Sequence, residues 1–186
     1  ITYGGIITSI KVPDMNNNLI DIALGFNNLD AYLEGHPYFG AIVGRFANRI
    51  DNGKFLINEE EYKLALNNNG TSLHGGIKGF DKVNWNVVNY DYLNKRSIKL
   101  NYLSKHMEEG YPGNLDIYVT YTLLDDNELK VEYQAETDKT TVLNLTQHSY
   151  FNLSGESSGD IRDHELLINA DSFLPVNEKI SPTGEI

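Results

Sequence analysis

Apolar and polar residues alternate with period two over much of this chain. Leu115, Ile117, Val119, Tyr121 and Leu123 interleave with Asp116, Tyr118, Thr120 and Thr122. Leu129, Val131, Tyr133 and Ala135 interleave with Lys130, Glu132, Gln134 and Glu136 in the same way. Successive side chains of a strand point to opposite faces, so each run predicts a strand with one buried face. The Asp125-Asp126-Asn127 turn between them predicts a β-hairpin. Each apolar side chain buried there contributes roughly 1.5–3 kcal/mol before chain entropy is counted.

Further strands are predicted at Ile6–Val12, Ile20–Leu24, Lys54–Ile57, Tyr62–Leu66, Trp85–Tyr90, Ser97–Leu103 and Glu165–Asn169. Turn-rich stretches separate them, among them Asn16-Asn17-Asn18, Asn58-Glu59-Glu60, Asn67-Asn68-Asn69-Gly70 and Gly110-Tyr111-Pro112-Gly113. Helical turns are suggested only at Asn28–Glu34 and Ala41–Ile50. Many strands, regular turns and almost no helix predict an all-β, antiparallel sandwich or barrel. No repeat or linker divides the chain, so residues 1–186 are expected to form a single domain. The chain opens at Ile1 into a predicted strand and closes on the Ser181–Ile186 turn, and both ends read as cut.

The segment Val142–Leu153 also reads as a strand, but an unusual one. Leu143 and Leu145 share one face, while Asn144, Thr146, His148 and Tyr150 share the other. A row of donors and acceptors ending in an imidazole suits sugar binding or proton transfer better than simple packing. The alternative is an ordinary, hydrogen-bonded histidine in a sandwich face.

Composition narrows the function. With 15 basic and 26 acidic residues the net charge is -11, and no Lys/Arg cluster offsets it. A nucleic-acid or anionic-membrane partner is therefore not expected. The chain has no cysteine, which excludes disulfides and thiolate metal sites and is compatible with the expected cytoplasmic location. No apolar run approaches the ~20 residues needed to span a bilayer, and no signal-peptide pattern opens the chain. The sequons at Asn69, Asn144 and Asn152 read as chance matches in an Asn-rich sequence.

Other candidate sites carry weaker signals. Arg45 and Arg49 would share a face of a helical turn, with Asn48 beside them; they are either ligand-binding forks or surface groups over acidic neighbours. His74 precedes Gly75-Gly76, where the backbone could approach a ligand closely, though a lone loop histidine is the commoner case. Glu108-Glu109-Gly110-Tyr111-Pro112-Gly113 reads as a tight turn that could rim a pocket. Histidine spacings do not fit a metal site, and neither a phosphate-binding loop nor a nucleophile elbow is present.

Taken together, several blocks resemble the aldose 1-epimerases (galactose mutarotases). They are Gly40–Ile50 (Gly-Ala-Ile-Val-Gly-Arg-Phe-Ala-Asn-Arg-Ile), Ser72–Gly76 (Ser-Leu-His-Gly-Gly), Gly79–Trp85 and Glu109–Asn114 (Glu-Gly-Tyr-Pro-Gly-Asn). The resemblance continues through Asn144–Leu153, Leu174-Pro175-Val176 and Pro182-Thr183-Gly184. It implies a large antiparallel β-sandwich, a "supersandwich", with an open sugar-binding cleft, here incomplete at both ends. It implies an isomerase that interconverts the α and β anomers of aldohexoses such as galactose and glucose, in hexose metabolism, without metal or organic cofactor. By the same resemblance, Asn48 and Arg49 bind sugar hydroxyls and His74 lines the cleft in support. His148 is the general acid, and Ser149 and Tyr150 adjoin the substrate. A histidine, with an ordinary pKa near ~6.5, can protonate a ring oxygen at neutral pH.

The family's general base is a glutamate far toward the C-terminus, and no glutamate of this chain stands in its motif. An aspartate and a glutamine of the cleft are also expected from that region. The polypeptide 1–186 alone is therefore expected to be inactive. Alternatives on the same fold are a non-catalytic sugar-binding module, a hexose-6-phosphate 1-epimerase, or a mutarotase domain within a fusion that also carries a nucleotide-sugar epimerase.

Overall fold

The longest predicted strands are the ones that pair most completely. A computed structural model describes residues 1–125 and 127–186, so Asp126, in the middle of the predicted hairpin turn, lies outside the described residues. Strands β1 (Lys11–Pro13) and β2 (Leu19–Asp21) form a hairpin, followed by the helix α1 (Leu29–Glu34), which Asn28 caps through its side chain. Next come β3 (Ile42–Val43), β4 (Arg49–Asp51), β5 (Lys54–Ile57), β6 (Glu60–Lys63) and β7 (Thr71–Leu73). The principal sheet is built from β8 (Asn86–Asp91), β9 (Ser97–Ser104), β10 (Leu115–Leu123) and β11 (Leu129–Thr137), and β12 (Thr146–Gln147) follows. No helix among the described residues is long and apolar enough to cross a membrane.

The sheet is antiparallel throughout, in the order β11-β10-β9-β8. Central β10 shows why alternation predicted it: Leu115, Ile117, Val119 and Tyr121 are buried, while Asp116, Tyr118, Thr120 and Thr122 are not. Its apolar face packs on Leu100, Phe80, Val83, Trp85 and Ile42. Across this core lies a second layer, in which β3 pairs with β12 in the register Thr146↔Val43 and Gln147↔Ile42. Period two sorts this layer. Ile42 and Leu145 face the sheet, whereas Ala41 and Val43 face a second cluster with Ile6, Tyr32 and Ala47. The result is the expected β-sandwich arrangement.

Three expectations need correction. Ala41–Ile50 is not helical: it runs extended through β3 and β4, because its apolar residues pack on both faces of a layer. Arg45 and Arg49 therefore do not share a helical face. The Val142–Leu153 strand is regular only at β12, although its backbone is held on both sides elsewhere, by Asn144 N–H to the Arg45 carbonyl and by Leu24 N–H to the Tyr150 carbonyl. Glu165–Asn169 forms no strand; Leu166 and Leu167 are 84% and 96% exposed, and without a neighbour a short apolar run has no ladder to join.

Arg45 is neither a surface group nor a ligand fork. Its side chain is buried, and Nη1 donates to the carbonyls of Pro112 (2.7 Å) and Gly113 (3.0 Å). Nη2 donates to Ser104 Oγ at 2.6 Å and to the Ser104 carbonyl at 3.2 Å, and the guanidinium stands over the Tyr111 ring. Ser104 Oγ in turn donates to Glu108. The Gly110–Gly113 turn, read as a possible pocket rim, thus serves as the anchor for this arginine. Removing the guanidinium strands several buried acceptors at once, and each hydrogen bond to a charged group contributes about 1.5–3 kcal/mol. Arg45→Met is expected to lower unfolding stability by at least about 3 kcal/mol, and Arg45→Lys by nearly as much, since an ammonium cannot span both acceptor sets. Urea denaturation checks this, and midpoints close to wild type would contradict the assignment.

Candidate active site

Three residues separated in sequence meet because of backbone geometry that side chains adopt reluctantly. Tyr38, Asn48 and His74 have φ of 64°, 65° and 53°. That region is easy for Asn, tolerated by His and costly for Tyr, and such residues persist where surrounding contacts over-determine them. Two of those contacts are visible. The Asn48 N–H donates to His74 Nδ1 at 2.9 Å, and the His74 N–H donates back to the Asn48 carbonyl at 3.0 Å. Gly75 is required beside them, since a Cβ there would lie 1.8 Å from the Gly44 carbonyl oxygen.

His148 arrives from β12. Its N–H bonds the Ala41 carbonyl and its carbonyl accepts from Gly40 N–H, which continues the β3–β12 pairing by one residue. The pleat then puts His148 on the face of Thr146, as the alternation predicted. The His148 and His74 rings meet edge-to-face with centroids 5.0 Å apart. Tyr150 packs beside His148 at 5.1 Å and against Phe39 at 5.2 Å. No hydrogen bond from the described residues reaches either ring nitrogen of His148.

These groups border an open cavity of about 470 Å³, lined by Asn48, His74, Asn144, Thr146, His148 and Ser149 among others. Arg49 flanks it, donating from Nη1 to Asn48 Oδ1 (3.3 Å) and from Nε to Asn68 Oδ1 (3.2 Å). The Ser149 N–H is held by Gln147 Oε1, and its buried hydroxyl has no partner among the described residues. All six residues singled out from the sequence, Asn48, Arg49, His74, His148, Ser149 and Tyr150, thus come together. Sequence reasoning missed Tyr38, which touches both histidine rings, and Asn68 and Gln147, which orient Arg49 and Ser149. Tyr38 lies just before the Gly40–Ile50 block, and an aromatic between a proline and a phenylalanine carries no signal of its own. No carboxylate lines this cavity among the described residues. A separate groove of about 390 Å³, bordered by Ile1, Ile6, Ile98, Leu100, Tyr121 and Leu129, is almost wholly apolar and lies away from the histidines.

Electrostatics separate the two histidines. Burial, reinforced by His148, Arg49 and Lys82, pushes the His74 pKa down to about 4. Its Nδ1 already accepts a hydrogen bond, so the neutral ring carries its proton on Nε2. His74 is a neutral donor.

The fold and the site define a β-sandwich protein with an open, histidine-bearing polar cleft. The chain belongs to the aldose 1-epimerase family, whose family model matches residues 1–186. It is 52% identical over 186 residues to a galactose mutarotase of Sus scrofa, covering all of this chain and 53% of that protein. It is 42% identical over 185 residues to an aldose 1-epimerase of Haemophilus influenzae, covering 99% of this chain and 53% of that protein. The crystal structure of a GalM/aldose epimerase homologue from C. elegans superposes with a TM-score of 0.87 at 31% identity, covering 99% of this chain and 55% of that one. The chain thus spans about half the length of the curated relatives it matches.

The depressed His74 pKa makes stability depend on pH. Between pH 6.5 and about 4 the unfolded chain binds a proton at this side chain that the folded chain does not, so stability falls as pH drops through that window. His74→Gln is expected to flatten this part of the curve relative to wild type. Urea midpoints measured from pH 7 to pH 4 check it; parallel curves for the two proteins would contradict it.

Proposed function

We propose that this chain supplies the acid and much of the sugar pocket of an aldose 1-epimerase, which interconverts the α and β anomers of aldohexoses such as galactose and glucose. The observation that carries the reading is the His74–His148 pair. With His74 held neutral, a proton delivered from this pair to a bound sugar has to come from His148. His148 protonates the ring oxygen while a base removes the proton of the anomeric hydroxyl. The bond between C1 and the ring oxygen breaks, the aldehyde turns about its C1–C2 bond, and the ring recloses on the other face. Asn48, Arg49 and the Nε2–H of His74 bind sugar hydroxyls, and Ser149 and Tyr150 adjoin the ring.

The names of relatives at 42–52% identity support this reading. Arg49 is held by Asn48 and Asn68, and Lys82 is ion-paired with Asp81, so among the described residues the cavity has no pair of unengaged cations to favour a phosphorylated sugar. We place residues 1–186 in one domain, acting on a free sugar in the cytoplasm as part of hexose metabolism, without metal, organic cofactor, nucleic acid or membrane. The base is assigned to no residue of 1–186, since no carboxylate lines the cavity among the described residues. The same observation is what favours the second reading, a non-catalytic sugar-binding module.

Two measurements by polarimetry on freshly dissolved α-glucose or α-galactose test the proposal. In the full-length protein, His148→Asn is expected to lower kcat by about 10²–10⁴-fold, the contribution of a positioned acid. Saturable sugar binding with no catalysis in the wild type would favour the module. The polypeptide 1–186 made alone is expected to show no saturable rate increase, and one that disappears in His148→Ala would refute that expectation.

A further inference from the structure

A catalytic histidine is ordinarily oriented through its second ring nitrogen, which donates to a carbonyl or carboxylate. His148 has no such bond among the described residues. Its ring is held by other rings: His74 at 5.0 Å, Tyr150 at 5.1 Å and Tyr38 at 5.5 Å. Tyr38 alone of the two tyrosines also packs edge-to-face on His74, at 4.6 Å. It therefore touches both members of the pair.

Tyr38 is itself fixed. Its backbone sits at φ 64°, so its ring position is set by the Pro37–Gly40 turn rather than by rotamer choice alone. On the ring, 5.4 Å from its centroid, stands Lys82 Nζ, a cation–π contact. Lys82 is tethered at 2.7 Å to Asp81, whose side chain is 2% exposed. The contacts run from a buried carboxylate through an ammonium and a phenol ring to the two imidazoles. The Tyr38 hydroxyl has no hydrogen bond from the described residues, so the ring, and not the hydroxyl, makes these contacts.

We infer that Tyr38 is a positioning residue for the His74–His148 pair, fixing the direction in which His148 presents its proton to the sugar ring. The inference rests on the assignment of His148 as acid. An imidazole without a hydrogen-bonded tether turns about its side-chain torsions unless its faces are packed, and a misplacement of about 1 Å can cost about 10²-fold in rate. Of the charged and titratable groups around the pair, Arg49 and Tyr150 have contacts independent of Tyr38, whereas Lys82 loses its ring contact in Tyr38→Leu and keeps its tether to Asp81.

The test compares Tyr38→Phe and Tyr38→Leu in the full-length protein. The phenylalanine variant is expected to retain most of the wild-type kcat. The leucine variant is expected to lose about 100-fold in kcat with little change in KM, and its pH–kcat profile is expected to shift. Proton NMR of the His74 and His148 ring resonances should show them moved by Tyr38→Leu and nearly unmoved by Tyr38→Phe. A leucine variant with wild-type kcat and pH profile overturns the inference, as does a phenylalanine variant as impaired as the leucine one. If circular dichroism shows that Tyr38→Leu does not fold, Tyr38→Met, which fills the space without a ring, takes its place. Failure of both to fold overturns the inference by making the ring a core element. An inactive wild type would instead remove the functional reading, and this one with it.

Discussion

Much of the arrangement depends on one buried guanidinium. Arg45 lies two residues past β3, the strand that pairs with the His148 ribbon, and its fork ends among carbonyls at one end of the principal sheet. A charge taken out of water must be met by enough acceptors to offset its desolvation. The acceptors here come from two places, the Ser104 end of β9 and the Pro112-Gly113 turn before β10. The two layers of the sandwich are thereby locked in one register. A hydrophobic contact could slide by a residue; a fork that must reach both sets cannot.

That lock matters because the site is spread over both partners of a short ladder. His148 comes from one side of the β3–β12 pairing, and Tyr38 and Asn48 come from the ends of the other. A slip of one residue would turn His148 to the face of Leu145, into the apolar core. An aromatic series then carries order outward, from Tyr32 of α1 through Phe26 and Phe39 to Tyr150. The small helix is thus linked to the wall of the cleft.

The hairpin of β10 and β11 was legible from sequence because a strand buried on one face writes its environment as alternation. A short apolar run misled at Glu165–Asn169, where a strand-like segment without a neighbouring strand yields exposed leucines. Ala41–Ile50 misled for the opposite reason: buried on both faces, it has no period, and its Arg-x-x-x-Arg spacing imitated a helical face. Arg45 and Arg49 are alike in sequence, and only the fold separates a core anchor from a cleft residue. The meeting of His74 with His148 was implied by family resemblance, since no spacing rule joins a loop to a distant strand. Tyr38 was invisible because its role lies in where a left-handed turn aims an ordinary ring.

The charges around the pair run against the protein as a whole. The chain carries a net -11, yet the groups that bear on His74 after burial are His148, Arg49 and Lys82, all cationic or capable of becoming so. What the field does is oppose protonation of His74. Two imidazoles 5.0 Å apart repel if both are charged, and burial together with a backbone donor on Nδ1 keeps His74 neutral. The donor at Asn48 N–H therefore does more than hold a ring. By occupying Nδ1 it fixes the tautomer of the neutral ring, with the proton on Nε2.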